Sequence, residues 1–108
     1  MSAITLNIYS KTNKKEIEKT FTAEGYDLEL GIVEDFMDII DIDKISDNAE
    51  VLKMVQKGFH QIKPFLKDIF PDLTDEDFKR VRVNDLVRTI IQIGTSIVES
   101  MDVLKKGN

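Results

Sequence analysis

The stretch NDLVRTIIQIGTSIVESMDVL (Asn84–Leu104) decides the fold class. Leu86, Val87, Ile90, Ile91, Gly94, Ile97, Val98, Met101 and Leu104 recur at steps of three and four, the spacing that lines one face of an α-helix. Asn84 offers a side-chain cap for the first turn. Lys105 and Lys106 complement the dipole at the far end, and Gly107 marks the stop. Arg88, Gln92, Glu99 and Asp102 interrupt the apolar run, which predicts a packed amphipathic helix and no bilayer span.

Working back from this helix, Val81-Arg82-Val83 reads as an extended linker. Thr74-Asp75-Glu76-Asp77 reads as the start of a short helix, since threonine caps and acids suit a helix N-terminus. Phe65–Phe70 forms a short segment that stops at Pro71. Asp47 caps an earlier helix, with Glu50 in capping-box register and Leu52, Val55, Phe59 and Ile62 as its apolar face. Pro64 ends or kinks that helix, because proline lacks the backbone donor and crowds the preceding turn. Leu30, Val33, Phe36, Met37 and Ile40 predict a further helix over 30–40.

Before Gly25 the period falls to two. Ile4, Leu6 and Ile8 alternate with Thr5, Asn7 and Tyr9. After the polar tract Ser10–Lys15, Ile17, Lys19 and Phe21 alternate with Glu16, Glu18, Thr20 and Thr22. Two such runs around a polar turn predict a hairpin, which needs the rest of the domain to support it. The expected fold is α+β and mostly helical, an N-terminal β-hairpin (1–25) packed on a small bundle of about four helices (26–108). At 108 residues and 42% hydrophobic content the chain is expected to form one domain, 1–108, that buries its own core without a staple.

The net charge of −5 is unevenly placed. Residues 21–50 carry ten acids against Lys44, whereas 51–70 carry four lysines against Asp68. No contiguous basic face is in view, so phosphate-backbone binding, and with it nucleic acid, is not expected. The acidic segment suits either docking on a basic protein surface or a solvated face that keeps the protein soluble. The N-terminal residues show no basic start followed by an apolar run, so no secretory signal is read there.

Little in the chain can support catalysis. There is no cysteine, hence no disulfide, thiolate zinc site or cysteine nucleophile, and His60 is the only histidine. The glycines are scattered, so no phosphate-cradling loop forms. Asp41–Asp47 resembles a calcium loop only superficially, because Ile45, Ser46 and Leu52 occupy the fifth, sixth and twelfth positions. No catalytic residue, cofactor or metal is expected. A carboxylate-dependent hydrolase would require a deep pocket of convergent acids with raised pKa values.

From Tyr26 to about Glu99 the chain resembles the tail assembly chaperones of long-tailed phages and prophages of Gram-positive bacteria. The resembling stretches are Tyr26–Asp35, Ile39–Lys44, Ile62–Glu76 and Val81–Val87, and the turn Phe70-Pro71-Asp72-Leu73 leading into Thr74-Asp75-Glu76 is the most recognisable. The resemblance implies a non-enzymatic assembly factor in the bacterial host cytoplasm, absent from the mature virion. Its partners would be the tape measure protein, held soluble, and the major tail protein, recruited as tube subunits. The family also implies a longer form made by frameshifting, for which Lys105-Lys106 would provide an A-rich codon run.

A largely helical partner suggests helix-in-groove contact, with Glu34, Asp35 and Asp38 steering the encounter. Phe70, Leu73, Ile90 and Ile97 are the candidate apolar contacts, although each taken singly also reads as core. The stripe Leu86–Leu104 leaves homo-oligomerisation open. An alternative reading is a small acidic adaptor or regulatory module that binds a host protein.

Overall fold

The computed structural model describes residues 3–25 and 28–106, the last six of these by their backbone alone. Strands β1 (Ala3–Tyr9) and β2 (Ile17–Glu24) form an antiparallel hairpin. Helices α1 (Leu30–Ile39), α2 (Asn48–Lys57), α3 (Phe59–Ile69), α4 (Asp75–Lys79) and α5 (Val83–Lys106) follow, with a 3-10 turn at Ile42–Lys44. The fold is α+β and mostly helical, as the two hydrophobic periods predict.

One face of the hairpin is core. Ile4, Leu6 and Ile8 are fully buried, and their cross-strand neighbours Ala23, Phe21 and Lys19 share that face. Each buried aliphatic side chain contributes about 1.5–3 kcal/mol of transfer free energy. The opposite face carries Thr5, Asn7, Thr20 and Thr22, with Thr20 Oγ1 donating to Asn7 Oδ1 at 2.9 Å. The core continues through Phe36 and Ile40, Val51 and Val55, Ile62, Phe65 and Leu66, and the inner face of α5. Ile93, outside the predicted stripe, is fully buried there with Ile90 and Ile97.

The hairpin lies against α5 through backbone groups as well as side chains. Thr5 N–H donates to Gln92 Oε1 at 2.9 Å, and Thr89 Oγ1 lies 2.7 Å from Thr5 O. Its far end is clamped to α4. Asp77, 2% exposed, accepts from Lys19 at 2.8 Å and from Arg80 at 3.3 Å, while Arg80 also bonds Tyr9 O and Glu18. Arg82 stacks 3.9 Å from the centre of the Tyr9 ring.

Several expectations are corrected. The helix that begins after Asp47 breaks at Gly58, not at Pro64. A Cβ on Gly58 would lie 2.8 Å from Ile39 Cγ2, so the close approach of α1 demands glycine there. Pro64 sits inside α3, where the one helical bond its missing N–H forfeits is that to the carbonyl of His60, an exposed residue. The buried face of α2 is accordingly Val51 and Val55, with Leu52 only half-buried and Phe59 starting the next helix. Asp47 caps α2 by accepting from Ala49 N and Glu50 N, but Glu50 turns to Lys53 instead of closing the box. A complete capping box forms at Thr74 and Asp77.

Asn84 does not cap α5. The helix begins two residues earlier than that cap implies, at Val83, and Leu86 N–H bonds Arg82 O at 2.9 Å, so the cap position falls to Arg82, held by its stacking on Tyr9. The extended linker shrinks to Val81 and Arg82. Leu30 and Met37 of α1 are exposed, and its burial rests on Phe36 with partial help from Ile32, Val33 and Ile39. The Gly107 stop, the side chains of Met101, Leu104, Lys105 and Lys106, and Tyr26 and Asp27 at the start of the resembling stretch lie outside what is described.

Candidate functional site

The break at Gly58 sets the direction of α3, and the Thr74 capping box sets that of α4; where these two diverge from the start of α5 the core is not closed over. The result is an apolar groove of about 460 Å³ lined by Phe59, Phe78, Val81, Val83 and Leu86. Phe59 is 50% exposed and Val83 60% exposed, although both are large apolar residues on ordered helices. The Phe59 and Phe78 rings meet at 6.1 Å between centroids, a tilted contact that fixes one wall. Val83 is also a wall of a second groove, about 520 Å³, between α2 and α5 with Leu52, Val87 and Ile91. Val83 is thus a ridge between two apolar depressions.

Charge is confined to the rim. His60, Lys63, Lys79 and Asp75 border the first groove. Asp75 pairs with Lys67 and, at 3.7 Å, with Lys63. The hydrogen bond from Lys67, then the charges of Lys63 and Lys67, hold the Asp75 carboxyl below the ordinary carboxylate range. It therefore stays ionised and has no proton to give near neutral pH. Among the described residues no three histidine, aspartate or glutamate side chains are grouped to hold a metal ion. The arrangement suits apolar contact with a polar border, the usual anatomy of a protein interface.

The sequence-predicted contact residues are not brought together. Glu34, Asp35 and Asp38 are exposed on α1, where Asp35 and Asp38 edge a cleft of about 250 Å³ shared with His60 and Asp68 of α3. Phe70, Leu73, Ile90 and Ile97 are buried in the core and present no surface to a partner, which corrects their candidacy as docking residues. Phe70 is instead held 6.1 Å from the Phe21 ring, and Ile90 and Ile97 face the interior side of α5. Sequence reasoning missed the groove. In the sequence pattern Phe59 continues an apolar helical face and Val83 belongs to an extended linker; the one local signal is Gly58, directly before Phe59. Comparison of the chain with protein-family models, curated proteins and solved structures finds no match.

Proposed function

We propose that the chain is a non-enzymatic, protein-binding assembly factor, a phage tail assembly chaperone that holds the tape measure protein and recruits tail-tube subunits. The observation that carries the reading is the groove bracketed by exposed Phe59 and Val83. An amphipathic helix with anchors at i, i+3/4 and i+7 suits such a depression. A long helical tape measure has an apolar seam that needs cover until tube subunits enclose it. The resemblance over Tyr26–Glu99 supplies the partner identities, and the host cytoplasm as the place of action. In this reading the chain leaves before the tail is complete, and purified tails lack it.

The test is co-expression with the tape measure and major tail proteins of the same gene cluster. The chain should keep the tape measure soluble, and the pair Phe59→Asp and Val83→Asp should abolish this while the variant keeps its helical circular dichroism. Tape measure solubility that ignores the chain, or the two substitutions, refutes the proposal. A second reading, a small acidic adaptor, is favoured by the exposed carboxylates Glu34, Asp35 and Asp38. Retention of a host protein that depends on those three residues and not on Phe59 would support the adaptor.

A further inference from the structure

The hairpin has two edges, and among the described residues a helix, α5, lies along that of β1 only. Thr5 gives its N–H to Gln92 and its carbonyl receives Thr89 Oγ1, so neither group pairs with the facing strand. Thr5 and Thr22 are therefore a non-hydrogen-bonded pair of the antiparallel ladder. Asn7 with Thr20 and Ala3 with Glu24 have the same phase. It follows that Thr20, Thr22 and Glu24 turn their N–H and C=O groups away from β1. Among the described residues those groups have no backbone partner. Such an edge is a template for another strand.

Proteins commonly guard an edge strand with charge, yet two of the three charged residues of β2, Glu18 and Lys19, are committed elsewhere. Lys19 is paired with Asp77 and Glu18 with Arg80, both toward α4. Beside the open edge lies a depression of about 350 Å³, with Leu28, Ile32 and Ile69 as its apolar part and Glu24, Glu29 and Asp68 as its charged part. Among the described residues no cation lines it, and none of these three acids is ion-paired. A strand added to β2 would alternate its side chains between the solvent face and this depression.

We propose that the free edge of β2 is a β-augmentation site for an extended segment of a partner protein that alternates apolar and cationic side chains. Main-chain bonds to Thr20, Thr22 and Glu24 provide affinity. The apolar floor takes every second side chain, Glu24, in phase with Thr20 and Thr22 on the solvent face, meets the cationic residues between, and the added negative charge of Glu29 and Asp68 favours lysine or arginine over acidic residues. The inference goes beyond the proposed chaperone role and uses a surface distinct from the Phe59–Val83 groove.

The probe is a blocked, fluorescently labelled seven-residue peptide alternating valine and lysine, followed by anisotropy at low salt. It should bind, and a glutamate–valine counterpart should bind at least tenfold more weakly. Peptides N-methylated at every second amide, made in both phases, should lose at least tenfold in at least one phase. Thr22→Pro should do the same, because it removes an outward donor that the β1–β2 ladder does not use. The N-methyl peptides keep the test valid if that variant fails to fold. Undiminished binding by both methylated forms, or equal binding of the acidic peptide, overturns the proposal. So does concentration-dependent dimerisation, abolished by Thr22→Pro, without peptide uptake, which assigns the edge to a second copy. Phe59→Asp should leave peptide binding unchanged, so the groove and the edge stand or fall separately.

Discussion

Gly94 lies in the middle of α5, where glycine is ordinarily a poor choice. Replacing it with alanine should gain about 1 kcal/mol of helix propensity. Here the structure opposes that gain. A Cβ on Gly94 would sit 1.5 Å from Ile45 Cδ1, 3.0 Å from Ile45 Cγ1 and 3.1 Å from Phe36 Cζ. Ile45 is half-buried and its terminal methyl can swing away, at roughly 0.5–1.5 kcal/mol for a displaced rotamer. Phe36 cannot give easily, because its fully buried ring is wedged 6.0 Å from that of Phe65. Overpacking of a filled core costs about 1–3 kcal/mol, so Gly94→Ala should be net destabilising by about 1 kcal/mol. At this chain length that lowers Tm by about 4 °C. In an Ile45→Ala background the main clash is gone, and the same substitution should become neutral or stabilising by up to about 1 kcal/mol. Urea unfolding of the four proteins of the cycle, followed by circular dichroism, gives both numbers and their coupling. Stabilisation by Gly94→Ala in the parent chain, or an equal effect in both backgrounds, would refute the close-packing account of this glycine.

Other outcomes follow from particular contacts. Burial pushes the Asp77 carboxyl up, but the hydrogen bonds from Lys19 and Thr74 outweigh it and hold the group below the ordinary carboxylate range. Its contribution to stability is therefore complete above the unfolded pKa of roughly 4 and is lost as pH falls through the lower folded value. Unfolding free energies measured from pH 7 down to pH 2.5 should show this loss, and Asp77→Asn should flatten it. Thr89→Val and Gln92→Leu each strand one backbone group of Thr5 and should cost about 1–3 kcal/mol in thermal unfolding. A value near zero for both would mean that water replaces them and that the edge of β1 is not sealed. Reversing the charges of Glu34, Asp35 and Asp38 should slow partner association in stopped-flow measurements at low salt and have little effect at high salt; unchanged low-salt rates would remove the steering role.

Much of the architecture is legible because hydrophobic period is a direct consequence of one-sided burial. Ile4, Leu6 and Ile8 declare a half-buried strand, and the stripe from Leu86 to Ile97 declares a helix. The break between α2 and α3 is not legible in the same way. Proline is the stronger local breaker, yet Pro64 is accommodated inside α3, while the helix breaks at Gly58, where Ile39 packs too close to leave room for a Cβ. That is a tertiary cause, and no local pattern carries it. The groove was hidden for a related reason. Apolar Phe59 and Val83 look like core in any pattern, and their exposure depends on how α3, α4 and α5 diverge. Thr89 and Gln92 are a third case, polar residues of a helix whose partners are the backbone groups of a strand more than eighty residues away.

Those two polar side chains also bear on which surface remains free. A hairpin alone is marginal, since each strand leaves half of its backbone groups without a partner. Here α5 takes the place of a third strand on the β1 side, and it does so with an amide and a hydroxyl where a strand would use its backbone. The Asp77–Arg80–Lys19 cluster then fixes the far end of the hairpin on α4. With β1 held to α5 at Thr5 and the turn clamped, the orientation of β2 is set by contacts that do not involve its own outer edge. An added strand would therefore find those backbone groups already aligned, and little ordering entropy of the hairpin would oppose it. The same clamps make the edge vulnerable at a distance: weakening Asp77 frays the β2 half of the hairpin first, and peptide affinity should fall with it while the groove beside Phe59 keeps its shape.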